Sequence, residues 1–309
     1  MPGDSLSMKW STGSSDDASR QLSHEISLQV ARAREALEEG NDLASAVHEA
    51  RRAIKRARAL LRLAEPWPSS SPTDSTLRDA SRVLAPLRDA NVMVSTARDI
   101  RDVALASRPS VSGPDLVPPT LLEALEDEEG RHFAESSSAD GPLSEAGELL
   151  RSVVVSTASG GTELLQHGLG ASYASVRMRS DPAAGEGPID ERSHKLRKRV
   201  KDLRYQLEFL DRGQPKLGRL VGYLHHLTDL LGDANDLTTL ARYTASVDVV
   251  SEPERAALTV ALEGTKQALR SEATALSARL FEEDPDSFVR RVGEWVALPQ
   301  DRSQGPLQG

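Results

Sequence analysis

The chain has 309 residues, a formal net charge of −9 and no cysteine, so disulfides, thiolate metal sites and thiol nucleophiles are excluded. Its length suits two modest cores or one larger repeated architecture, and its acidic balance requires any anion-binding surface to be a local concentration of cations. Aromatic residues make up 4% of the chain, thin for base stacking, and neither a signal-peptide stretch nor an apolar run near the ~18 residues that span a bilayer is present, so a cytoplasmic protein is expected.

Apolar residues recur at three- and four-residue spacing in a sequence rich in Ala, Leu, Glu and Arg, which predicts an all-α protein. Residues 1–17 are expected to be disordered. A first helix is predicted from Ala18 to Glu39, stopped by Gly40, with Asn41 or Asp42 capping the next. A basic helix, Leu43 to Glu65, ends at Pro66 and Pro68. Helices over Thr73 to Leu87 and Asp89 to Ser107 lead into the linker SRPSVSGPDLVPP. The next segment, LLEALEDEEGRHFAESSSADGP, carries an acidic cluster, Glu126 to Glu129, that reads as solvated surface.

The plan then repeats. Helices are predicted over Leu143 to Ser159 and Thr162 to Ser180, then a turn-rich SDPAAGEGP and a second basic helix, Ile189 to Arg212, ended by Gly213 and Pro215. Lys216 to Leu231, Asn235 to Ser246, Pro253 to Glu283 and Asp286 to Trp295 complete the set, and residues 299–309 are expected to be disordered. The domain would span 18–298, with halves at about 18–107 and 143–298 and a linker and acidic insertion at about 108–142.

Two stretches carry the chemistry: VHEARRAIKRARALLRLAE from Val47 and SHKLRKRVKDLRYQLEFLD from Ser193. Aligning His48 with His194 places Arg51 on Arg197, Arg52 on Lys198, Lys55 on Lys201 and Arg58 on Arg204. Downstream, LRDANV from Leu87 parallels LGDANDL from Leu231, the offset narrowing from 146 to 144 residues. Duplication explains both, and predicts two bundles of about four helices each related by a pseudo-two-fold axis.

On a helical wheel His48, Arg51, Arg52, Lys55, Arg58 and Arg62 share an arc of roughly 120°, opposite Val47, Ala50, Ile54, Ala57 and Leu61. His194, Arg197, Lys198, Lys201, Arg204, Tyr205 and Glu208 likewise oppose Leu196, Val200, Leu203, Leu207 and Leu210. A single cationic stripe is usually a solvated face. Here, however, few carboxylates are interleaved, so the cations repel along the stripe unless an anion answers them. Rows of cations repeated each turn suit an extended polyanion, and the lack of interleaved aromatics points to phosphates without bases.

These stretches, with LAPLRDANVMV, LLGDANDL and GLGASYASVRMRS, resemble the CHAD domain family from about Ala18 to Val296. No CYTH-type ExExK motif accompanies them. The resemblance implies an α-helical fold of two bundles related by pseudo-two-fold symmetry, a central groove or pore lined by basic residues, and non-enzymatic binding of inorganic polyphosphate, with association to polyphosphate granules and granule proteins. It carries the binding role onto His48, Arg51, Arg52, Lys55 and Arg58, onto His194, Arg197, Lys198, Lys201 and Arg204, and onto Arg88 and Arg177. Arg52 and Gly232, the latter where the first half has Arg88, depart from the pattern and predict an asymmetric rim.

Nucleic-acid binding and scaffolding of an acidic protein stay open as alternatives. No cofactor, metal or catalytic residue is assigned: His225 and Asp229, one turn apart, cannot complete a metal shell by themselves. Asp89, Asn91, Asp233 and Asn235 read as helix caps, with orientation of a basic residue by Asp89 or Asp233 as the alternative. His48 and His194 either touch phosphate or hold neighbouring helices.

Overall fold

The computed structural model describes residues 15–40, 42–64, 71–107, 116–136, 138, 140–156, 161–181, 187–211 and 213–297. Among these residues the only regular structure is helical. The chain opens with α1 (Ser15–Glu39) and α2 (Leu43–Ala64), packed along each other. Then come α3 (Pro72–Val83), α4 (Ala85–Ser107), α5 (Pro119–Ser136), α6 (Pro142–Arg151) and α7 (Gly161–Ser180). The series ends with α8 (Ile189–Leu210), α9 (Pro215–Ser246), α10 (Glu252–Leu280) and α11 (Pro285–Ala297). Proline opens α3, α6, α9 and α10, where its fixed φ suits the first turn and its missing N–H costs nothing.

Two cores hold the helices together. The larger is built on Leu22 and Ile26 of α1, Ile54 and Leu63 of α2, Val200 and Leu207 of α8, and Tyr173 of α7. Tyr173 is fully buried, with its ring stacked on Phe288 at 3.9 Å between centroids and its hydroxyl donating to the Glu283 carbonyl at 3.3 Å. Gly168 lets α7 cross the end of α2: a Cβ there would lie 2.2 Å from the Leu63 carbonyl oxygen. The smaller core joins Val94 and Ala97 of α4, Leu121 and Leu125 of α5, Leu237 and Leu240 of α9, and Leu258 and Leu262 of α10. Each fully buried leucine contributes about 1.5–3 kcal/mol. Neither core is confined to one half of the chain.

Four expectations change. The acidic segment is a helix whose Leu121, Leu122 and Leu125 are buried, while Glu126 pairs with Arg98 at 2.6 Å and Glu129 accepts from Asn91 at 2.8 Å. The helix predicted over Leu143 to Ser159 stops at Arg151, before the β-branched run Val153 to Val155, and Thr73 Oγ1 donates to the Val154 carbonyl at 2.7 Å. The break between α3 and α4 falls at Leu84 rather than near Asp89. Finally, α9 runs unbroken through Gly232 and Asp233, because Leu231, Ala234, Leu237 and Leu240 keep one face buried and offset the roughly 1 kcal/mol that one glycine costs a helix. Asp89, Asn91, Asp233 and Asn235 therefore sit inside helices and cap none. The ends expected to be disordered, the SDPAAGEGP turn and the Pro66–Pro68 stop lie largely or wholly outside the described residues.

Candidate functional site

The apolar faces of the two basic helices are spent on the larger core. Val47, Ala50, Ile54 and Ala57 of α2 are at most 1% exposed, and Leu196, Val200, Leu203 and Leu207 of α8 are buried with them. That leaves the cationic faces toward each other. The helices run antiparallel where they meet: Arg56 pairs with Glu208 at 2.6 Å, Gln206 Nε2 donates to the Ala59 carbonyl at 2.9 Å, and Arg62 reaches Asp202 at 3.3 Å.

Between them lies a cavity of about 920 Å³, walled by α2 and α8 and closed by α3, the start of α4 and the middle of α9. Twelve arginines and lysines line it against four carboxylates. Eight of the twelve residues singled out in the sequence are there: Arg51, Lys55, Arg58 and Arg88 from the first half, His194, Arg197, Lys198 and Lys201 from the second.

A search for related families matches the CHAD domain model over residues 24–245. The chain belongs to the CHAD family. It is similar in fold to the crystal structure of the CHAD domain from the plant Ricinus communis, with a TM-score of 0.54 and 19% identity over 96% of each chain. No curated protein matches the chain.

Within this CHAD cavity the cations fall into two groups. Arg58 grips the buried Asp74 with Nε at 2.8 Å and Nη2 at 3.1 Å, and Arg62 stands 3.6 Å from the same carboxylate. Burial alone would raise Asp74, but the bonds and charge of Arg58, helped by Arg62, hold it below the ordinary carboxylate range. Asp202 is gripped by Arg62 at 3.3 Å and Arg199 at 3.0 Å.

The other group is unanswered. Lys55, Lys198, Lys201 and Arg197 have no hydrogen-bond or ion-pair partner among the described residues, and Nε of both Arg51 and Arg197 is buried without an acceptor. Arg51 Nη1 donates to the Ser81 carbonyl. Burial, then the charges of Arg51, Lys201, Arg88 and Arg197, push Lys55 down to about 6. Burial and Arg197 push Lys201 down to about 8.

The asymmetric rim has a packing basis. Arg88 pairs with Asp89 at 3.1 Å and reaches across to Asp236 of α9 at 3.7 Å. At the corresponding place in the second half stands Gly232, where a Cβ would lie 2.6 Å from Arg197 Nη2. The glycine makes room for the Arg197 guanidinium against α9. Asn235 likewise serves the site from inside a helix. Its Nδ2 donates to Asp236 at 3.3 Å, so its Oδ1 faces His194 and the His194 Nδ1 donates at 3.1 Å. Of the two sequence readings, orientation of a basic side chain fits the geometry for Asp89, which pairs with Arg88; the role of Asn235 beside His194 was not read from the sequence.

Four of the twelve residues stand elsewhere. Arg177 donates its Nε to the Phe281 carbonyl at 3.2 Å from α7, which contributes nothing to the cavity wall. Arg52 is exposed and pairs with Glu49 at 3.4 Å on another flank of α2. Arg204 is buried behind the wall, with Nε 3.4 Å from Glu208 and its guanidinium 4.7 Å from the Tyr205 ring. His48 is outside the lining, though the charges of Lys55 and Arg88 act on it. Burial, against Glu49, lowers His48, and burial lowers His194.

Sequence reading missed Arg78 and Arg82 on α3, Arg199 on α8 and Arg242 on α9. The first pair is spaced by four, a signal available on the helical wheel; Arg199 and Arg242 belong to no stripe. His225 and His226 sit on exposed faces, with Nδ1 of His225 2.8 Å from Asp229 and Nε2 of His226 3.1 Å from Glu272.

Proposed function

We propose that this CHAD domain binds inorganic polyphosphate in the cavity between α2 and α8, without turning it over. One observation carries the reading: in a chain of net charge −9, twelve cations converge on one cavity, and the innermost, Lys55, Lys201 and Arg197, meet no carboxylate partner among the described residues. Half-buried cations without a counter-charge destabilise a fold, so their presence fits a site completed by an external anion.

A phosphate chain supplies one oxyanion unit per repeat and asks for no base recognition. Arginine forks hold its oxygens in pairs, and lysines follow them as movable charges. The nearby carboxylates Asp74, Asp202 and Asp89 are each engaged by arginine, so they balance the wall rather than act on a bound phosphate. Such a protein would gather where polyphosphate is deposited in granules.

Polyphosphate gel shift at fixed salt tests the reading with the double substitution Lys55→Glu and Lys201→Glu. The wild-type protein is expected to bind, with affinity falling steeply as salt rises, and the double variant to lose at least about 100-fold, the size expected when two attractive charges become repulsive. Duplex DNA displacing labelled polyphosphate at equal phosphate concentration would instead favour a general nucleic-acid site.

A further inference from the structure

We propose that the cavity takes up its polyanion together with a proton, and that Lys55 receives it; this rests on the polyphosphate reading and adds its control by pH. Lys55 sits where α2 faces Lys201 of α8. The groups whose charges act on it are Arg51 from α2, Arg88 from α4, and Arg197 and Lys201 from α8, while Lys55 in turn disfavours protonation of His48 on α2.

The carboxylates near enough to relieve it are already held. Asp89 and Asp236 belong to Arg88, and Asp202 to Arg62 and Arg199. From α3, Arg78 and Arg82 add two further cations to the wall, and α9 adds Arg242 beside the neutral Asn235, Thr238 and Thr239. Lys55 is thus enclosed by like charge.

Guanidiniums keep their protons under such pressure, whereas a buried amine yields. With Lys55 brought down to about 6, the free cavity at pH 8 holds it as a neutral amine. Entry of a phosphate chain reverses the local field. The amine then binds one proton from solvent and becomes the ammonium that pairs with phosphate oxygen. Nothing else changes hands.

The sign of the pH dependence follows from linkage. For binding, the complex holds one more proton than the free protein, so affinity falls by about tenfold per pH unit between Lys55's free and bound values. For folding the trend is opposite. Unfolded Lys55 keeps its proton up to the ordinary value of 10.5 while folded Lys55 loses it near 6; between those values the unfolded state binds more protons, and the free protein gains stability as pH rises. Lys201, lowered to about 8, adds a smaller contribution of the same sign.

Calorimetric titration with polyphosphate of defined length at pH 8, in buffers of different ionisation heat, counts the protons directly. The wild-type protein is expected to take up about one proton per filled cavity through Lys55, with a smaller fraction through Lys201. Lys55→Arg, permanently charged, should still bind and lose the Lys55 proton. Lys55→Met, permanently neutral, should also lose it, and its affinity should fall less steeply with rising pH than that of the wild type. Replacing both His48 and His194 by Gln should leave uptake at pH 8 in place. Wild-type binding without proton uptake, or uptake undiminished from the wild-type value in both Lys55 variants, overturns the proton linkage and leaves polyphosphate binding standing. Failure of the wild-type protein to bind polyphosphate overturns the functional reading itself.

Discussion

Arg58 and Lys55 lie one turn apart on the same face of α2, and both line the cavity, yet they live under opposite electrostatics. Arg58 is answered by the buried Asp74, whereas Lys55 meets arginines and Lys201. At one end of the cavity the cations are built into the fold. At its centre they wait for an anion. The difference teaches that a basic stripe is not uniformly a binding surface: the carboxylates supplied by other helices decide which of its members are free.

The most severe way to break this comparison is to remove the carboxylate at the structural end. Asp74→Asn leaves the buried Arg58 and Arg62 without their shared counter-charge and is expected to cost about 3–5 kcal/mol, the penalty for orphaning one side of a buried pair. A denaturant titration of the variant reads this, and a loss under about 1 kcal/mol would place Asp74 among solvated surface groups.

A gentler change sharpens the other end. Gly232→Ala adds a Cβ 2.6 Å from Arg197 Nη2, so the guanidinium must swing away from α9 while the helix itself gains propensity. Stability is expected to stay within about 1 kcal/mol of wild type, and polyphosphate affinity to fall by about three- to tenfold, the worth of one displaced charge-assisted contact. Unchanged affinity in the calorimeter would remove Arg197 from the site. The smallest effect belongs outside the cavity. Arg52→Ala and Arg177→Ala should alter affinity by less than about twofold, as expected of exposed charges separated from the ligand by solvent; a larger loss in the same titration would extend the site along α2 or α7.

Much of the fold was legible because helices announce themselves locally. Apolar spacing placed α1, α2, α7 and α8 to within a few residues, and glycine marked the end of α1 and the start of α7. The breaks predicted from polar residues were another matter. LRDANV and LGDANDL look like capping sequences, but Asp233 and Asn235 are carried inside α9 by a buried leucine face that continues past them. A cap is a local preference of about 1 kcal/mol, and several buried leucines outweigh it.

The candidate site shows the same divide. Arg51, Lys55, Arg197 and Lys201 were readable because helical periodicity puts them on one face. Arg78 and Arg82 share one face of α3 but were not singled out, and Arg242 belongs to no stripe that would have marked it. Arg177, chosen by position in a motif, is turned to the Phe281 carbonyl, and Arg204, which shares the cationic arc of α8, is turned to Glu208.

By itself the sequence determined that this protein is helical, that two of its helices carry cations on one side and aliphatic residues on the other, and that it resembles the CHAD family. These are properties of spacing along one chain segment. Which cations would be neutralised was decided only in three dimensions, because Asp74 and Asp202 reach Arg62 from 12 and 140 residues away. The range of a charge in a partly buried cavity spans several helices, and no pattern along one of them records it.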